Sequence, residues 1–184
     1  MTNAATGKAI IVMGVSGVGK TTLAQALADR LSGCYIEADD FHPPENISAM
    51  AKSIALTDAM RQPWLEALSE AMYQARTTEP ETPVVVACSA LKRRYRDILR
   101  AQNPDAIVVY LAADPALIRA RMAARQDHFM PTSLLDSQLE TLERPSSEEA
   151  CVTIDASLPP DETVAQAYDR LTASGGTDGL TSFC

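Results

Sequence analysis

Residues 14 to 21 read Gly14-Val15-Ser16-Gly17-Val18-Gly19-Lys20-Thr21, a full match to the pattern G-x-x-x-x-G-K-[ST]. No other stretch narrows the possible folds as far, because the pattern works only where a strand ends, a loop turns sharply and a helix begins. The flanks meet that condition. Ala9-Ile10-Ile11-Val12-Met13 is a short apolar run with β-branched residues, as expected of a strand buried on both faces. After the loop, Leu23, Ala26, Leu27 and Leu31 recur at helical spacing. Glycines let successive N–H groups turn inward as a nest for phosphate oxygens. Lys20 can reach the β- and γ-phosphates of a nucleotide, and the Thr21 hydroxyl can ligate the magnesium ion that travels with them.

The same alternation continues along the chain. Strand-like runs are expected at 9–13, 35–38, 84–88, 107–111 and 152–154, with helical patterns at 20–31, 63–76, 91–101, 115–125 and 161–172. That order predicts an α/β fold, a parallel sheet covered by helices. Asp114-Pro115 is a cap followed by proline at the first helical position, a start signal for the fourth of these helices. Residues 39–62 and 126–150 break the rhythm with short helical pieces and no strand. Insertions after strand ends are where a substrate pocket and a lid belong in such a domain. One nucleotide-binding domain over 1–172 is expected, with 39–62 as substrate insertion, 121–150 as lid and a Gly/Ser/Thr-rich tail at 173–184.

The length of 184 residues suits one domain with a substantial core. Sixteen basic against 24 acidic residues leave a net charge of −8, which argues against nucleic acid as the main partner. An anionic small ligand remains possible, since a local basic pocket can sit in an acidic protein. No apolar run approaches the roughly 20 residues a membrane helix needs, and Met1 to Lys8 carries no secretory pattern. Cys34, Cys88, Cys151 and Cys184 are scattered with no C-x-x-C pair, so reduced thiols in a cytoplasmic protein are expected rather than zinc.

Several side chains could carry chemistry. Asp39, Asp40 and His42 follow the second strand, whose C-terminal end should face the ligand crevice. An aspartate there could accept a proton from a substrate hydroxyl, help hold magnesium, or both; the plain alternative is a solvated loop. On an extended segment Asp39 and Asp40 would point to opposite sides. After the third strand, Lys92, Arg93, Arg94 and Arg96 crowd a helix start, where cations are unfavourable. Lys92 and Arg96, four apart, would share one face as an anionic substrate requires; Arg93 and Arg94 could be a solvated face. Arg121 and Arg125 are a second such pair, suited to stabilising charge on a transferring phosphoryl group or simply to pairing with acids of 136–149. His128 opens a loop that could meet substrate, and Trp64 is most simply a packing residue. A guanine-specifying N-K-x-D is missing, since Asn103 is followed by Pro104, so ATP is favoured over GTP.

Taken in order over roughly 9–158, these segments resemble the gluconokinase family of P-loop small-molecule kinases. The carriers, beyond the loop, are Ala38-Asp39-Asp40-Phe41-His42-Pro43, Asn46-Ile47, Leu56-Thr57-Asp58 with Arg61 and Pro63-Trp64-Leu65. Ala87-Cys88-Ser89-Ala90-Leu91-Lys92 with Tyr95-Arg96-Asp97, His128-Phe129-Met130-Pro131 and Leu134-Leu135-Asp136-Ser137-Gln138 complete the match. The resemblance implies a five-stranded parallel sheet with a lid, and transfer of the ATP γ-phosphate to the 6-hydroxyl of D-gluconate in a cytoplasmic homodimer. It implies nucleotide contacts from Gly14, Val15, Ser16, Gly17, Val18, Gly19, Lys20, Thr21 and Thr22, with Thr21 and Asp39 at magnesium. Asp39 becomes the acid beside the substrate hydroxyl. His42, Arg61, Lys92, Arg96, His128 and Gln138 become the gluconate pocket, and Arg121 and Arg125 the lid arginines. Three positions depart from the family's usual pattern: Ser53-Ile54-Ala55-Leu56 replaces Gly-x-Pro-Leu, Met60 replaces an acid, and Ala49 replaces a common lysine. The competing readings are a P-loop kinase of another hydroxy acid, shikimate-like, and an ATP-binding regulatory protein without transfer activity.

Overall fold

A computed structural model of the chain describes residues 7–52, 54–124 and 132–173. Five strands form it: β1 (Ala9–Met13), β2 (Cys34–Glu37), β3 (Val84–Ala87), β4 (Ile107–Ala112) and β5 (Cys151–Asp155). They make one sheet in the order β2-β3-β1-β4-β5, every neighbouring pair parallel. The helices are α1 (Lys20–Leu31), α2 (Pro44–Ala51), α3 (Asp58–Thr78), α4 (Arg93–Arg100), α5 (Pro115–Ala124), α6 (Thr132–Thr141) and α7 (Pro160–Ala173). Among the described residues no helix is long and apolar enough to cross a membrane.

β1 lies at the centre, with Ile11 opposite Val86 of β3 on one side and Val108 of β4 on the other. Its side chains alternate between two cores, as the two-residue period of a strand demands. Ile10 and Val12 pack with Leu23 and Leu27 of α1, Ile118 of α5 and Leu171 of α7. Ala9, Ile11 and Met13 pack with Trp64, Leu65 and Leu68 of α3 and Leu99 of α4. Ile10, Ile11, Leu27, Leu65 and Leu68 are fully buried, and each such side chain contributes about 1.5–3 kcal/mol. The chain leaves β1 through α1 for the edge strand β2, whereas its neighbour β3 hands on through α4 to β4 on the opposite side, so the loop at the C-terminal end of β1 opens into the crevice where open α/β sheets bind ligands.

Three local expectations change. α3 begins at Asp58, five residues before the proline expected to open it, because the Thr57 hydroxyl caps it by accepting from Met60 N at 3.2 Å. Pro63 therefore lies inside the helix, where it withholds the donor that Ala59 C=O would otherwise receive. Asp39 and Asp40 sit in a 3-10 turn over Ala38–Phe41 rather than on an extended segment, so they do not face opposite ways; both are exposed. Lys92 is the residue before α4 rather than part of it, and the four-residue spacing to Arg96 does not put the two on one helix face. Cys88 and Cys151 are buried and Cys34 is exposed, and among the described residues none of the three is in a disulfide.

Candidate active site

The loop after β1 has the backbone its glycines permit. Gly17 and Gly19 sit at φ 81° and 105°, in the region where side chains other than glycine's are strained. A Cβ at Gly17 would strike Met122 of α5 at 2.6 Å, whereas one at Gly19 would meet nothing within 4 Å. The loop is thus pinned to α5 on one side and open at Gly19, the start of α1, where backbone N–H groups and the helix dipole favour an anion. Lys20 Nζ donates to Val15 O at 3.1 Å, folding the lysine back over the loop.

One flank of the loop opens on a cavity of about 370 Å³ lined by Gly17, Val18, Gly19, Thr22, Arg121 and the β5–α7 connection at Ala156, Leu158 and Pro160. Arg121 is held there by donating to Ala156 O at 2.6 Å. The connection 156–160 escaped the sequence reading; its one signal is the Pro159-Pro160 pair ahead of α7. Arg119, two residues earlier on α5, pairs with Asp136 of α6 at 2.5 Å.

On the other flank lies the turn that carries Asp39. Trp64 is no mere packing residue: its indole Nε1 donates to Ala38 O at 2.6 Å, and its ring stacks on His42 with centroids 4.1 Å apart. Asp39, with its side chain 82% exposed, lies 3.8 Å from His42 Nε2. Burial lowers the His42 pKa, with Asp39 opposing and Arg61 reinforcing that shift. Glu37, at the end of β2, was missed by the sequence reading. Its carboxylate accepts from the Thr21 hydroxyl at 3.1 Å and from Tyr35 OH at 2.5 Å. Burial, then the Glu37 carboxylate, pushes the Tyr35 phenol up. Burial pushes the Cys88 thiol, just past the end of β3, up to about 12.

The expected pocket cations divide. Lys92 Nζ contacts both Asp58 carboxylate oxygens, at 3.0 and 3.1 Å, and Arg94 reaches the same carboxylate at 2.8 Å. Tyr95 OH donates to Asp58 as well. Hydrogen bonds from Tyr95 and then Lys92 hold the Asp58 carboxyl down at about 2. Arg61 donates to Leu56 O and, at 3.4 Å, to Tyr95 OH. Arg61, Lys92 and Tyr95 are therefore brought together, and Arg94 reaches the same Asp58 carboxylate from an exposed position, in keeping with a solvated basic face. Met60, standing where the family has an acid, contributes its backbone carbonyl to Asn46.

Arg96 does not join this group. It is fully buried, its Nε and NH2 gripping Glu149 at 2.6 and 2.8 Å while NH1 donates to Ala90 O, Leu91 O and Glu143 O. Burial pushes the Glu149 carboxyl up, but Arg96 and the Ser146 N–H more than offset it and leave it below its ordinary value. The crowded start of α4 is offset in the same way, with Glu143 accepting from Arg93 N at 2.6 Å. Gln138 also lies away from Arg61 and Lys92's cluster: it bonds the phosphate loop at Ser16. Arg125, His128 and the tail from 174 lie outside the described residues.

The AAA domain family model matches residues 10–145. The thermosensitive gluconokinase of Escherichia coli K12 is 47% identical over 143 residues, 78% of this chain and 75% of that protein. The thermoresistant gluconokinase of the same organism is 39% identical over 160 residues, 86% of this chain and 90% of that one. A gluconokinase structure from Sinorhizobium meliloti superposes with a TM-score of 0.81 at 44% identity, covering 90% of this chain and 94% of that one. A shikimate kinase from Aquifex aeolicus, at 13% identity and a TM-score of 0.56, shares the fold alone. With relatives this similar over most of its length, the chain belongs to the gluconokinase family.

Proposed function

We propose that the protein transfers the γ-phosphate of ATP to the 6-hydroxyl of D-gluconate. The observation that carries this reading is the 47% and 39% identity to two named gluconokinases over three quarters or more of each. The loop amides and Lys20 hold the phosphates, and the cavity at Arg121 takes the nucleoside. Asp39 orients the acceptor hydroxyl and receives its proton as the new P–O bond forms and the bond to the β-phosphate oxygen breaks. Arg61 and Lys92 supply positive charge for an anionic acceptor, which an otherwise acidic protein needs locally. Residues 39–62 and 121–150 frame the acceptor as insertion and lid, with Arg125 and His128 on the latter.

Magnesium fits the loop's flank. Thr21 Oγ1, the Glu37 carboxylate 3.1 Å from it, and exposed Asp39 are hard oxygen donors of the kind the ion selects. Thr21 and Asp39 would hold it, and when bound it offsets charge on the β- and γ-phosphates. Most of the catalysis is positioning and electrostatics supplied by the chain. The same reading carries a cytoplasmic homodimer, whose subunit number light scattering measures.

The deciding experiment mixes the protein with magnesium-ATP and follows ADP release with D-gluconate, shikimate, other sugar acids and no acceptor. Gluconate-dependent turnover well above the blank supports the reading. Turnover with a different acid alone moves the specificity into the altered 49–60 segment. ATP binding with no acceptor stimulating turnover leaves a regulatory protein instead.

A further inference from the structure

Asn46, in the first turn of α2, is 2% exposed and so is expected to use its amide fully. Its Nδ2 donates to Met60 O at 3.0 Å and lies 3.3 Å from His42 Nδ1. A backbone carbonyl can only accept, so the atom facing Met60 is the nitrogen, whichever way the amide is first drawn. The second hydrogen of that nitrogen faces His42 Nδ1, which must then present a lone pair. A neutral imidazole with a lone pair on Nδ1 carries its proton on Nε2. Nε2 is the atom turned toward Asp39, 3.8 Å from Oδ1. The separation exceeds a hydrogen bond, and the exposed Asp39 carboxylate has room to swing in.

The imidazole has little freedom to turn away. It stacks on Trp64 with a 16° tilt, and its side chain is 5% exposed. The same Trp64 anchors Ala38 O, the carbonyl just ahead of Asp39. Ring and acid are thus referenced to one indole. With the opposite tautomer, a lone pair would face the carboxylate and push it away from this geometry.

We propose that Asn46 is a positioning residue for the acceptor site: it holds His42 as the Nε2–H tautomer, and His42 so held aims the Asp39 carboxylate. The role given to Asp39 rests on the kinase reading above; the tautomer does not. Because the chain has only two histidines, nitrogen NMR of the whole protein resolves both rings, with His128→Gln used for assignment alone. The wild-type protein should show His42 protonated at Nε2 with a bare Nδ1. A proton on Nδ1, or an even mixture, overturns the proposal, and this measurement needs no variant to fold.

Asn46→Asp keeps the shape but puts an acceptor opposite Nδ1. It should move the His42 proton to Nδ1, or charge the ring, and lower kcat by about tenfold while KM for the acceptor stays within about threefold. A residue that merely ties α2 to α3 would change stability without that tautomer shift or split. Unchanged kcat in a folded Asn46→Asp protein overturns the positioning role. Wild-type turnover with gluconate is measured alongside: its loss would sink the kinase reading while the tautomer result still stands or falls by itself.

Discussion

Gln138 grips Ser16 at two points: its Oε1 accepts from the Ser16 backbone N–H at 2.6 Å, and its Nε2 donates to Ser16 Oγ at 3.0 Å. The contact joins α6 to the phosphate loop across 122 residues of chain, and no helical period or spacing rule could have announced it. It ties the region expected to act as lid directly to the loop that would hold phosphate.

Gln138→Leu should loosen that tie while preserving side-chain bulk. Two ordinary hydrogen bonds contribute about 1 kcal/mol each, so hydrogen exchange at Ser16 N–H and along α6 should quicken by up to about thirtyfold. Unchanged exchange at the Ser16 amide would show that the tie adds nothing to loop order.

The Arg96–Glu149 pair should be structural. Arg96→Ala leaves an uncompensated buried carboxylate and should destabilise the protein by about 3–5 kcal/mol in urea unfolding, as should Glu149→Ala through the stranded guanidinium. If Arg96→Ala instead stays as stable as the parent and raises KM for gluconate, the arginine belongs to the pocket after all.

Asp58 gives the acid limb of stability a definite sign. Its carboxyl is held at about 2 by Tyr95 and Lys92 in the folded chain, against about 3.9 for an unfolded aspartate. The depressed value makes its contribution complete above about pH 4 and progressively lost as pH falls toward about 2. Asp58→Asn should flatten thermal stability over that window; an acid limb identical to the parent's would refute the assignment.

Lys20→Ala and Asp39→Asn should each lower kcat by about a hundredfold or more with the fold intact by circular dichroism. Near-normal turnover in either would remove that residue from the mechanism.

Glu37→Gln tests the acid found beside Thr21. Loss of its charge should raise the magnesium concentration for half-maximal activity by about tenfold, the usual scale for a group supporting a metal ligand. An unaltered magnesium curve would restrict Glu37 to holding Tyr35.

Much of this architecture was legible in order. β1, the loop and α1 follow from a motif whose every residue has a local job, and the hydrophobic runs of β3, β4 and β5 needed only their two-sided burial. Boundaries failed where one side chain overruled a stronger-looking cue, as when the Thr57 cap started α3 ahead of Pro63. Asp39 and Lys92 were candidates by chemistry and resemblance alike and Arg61 by resemblance alone, and the fold brings Arg61 and Lys92 together around Tyr95 and Asp58. Glu37 was passed over because a carboxylate inside a strand run has no marker until Thr21 is brought against it.

Local pattern therefore settled the order of strands and helices, the phosphate loop and the family, since propensity, period and turn chemistry act over a few residues. The partners of the charged and polar side chains came only with the folded chain. Arg96 went inward to Glu149, Lys92 and Arg94 to Asp58, and Gln138 to Ser16. Each of those pairings spans 34 residues or more, and a charge commits to a partner only once packing has removed the water that would otherwise serve it.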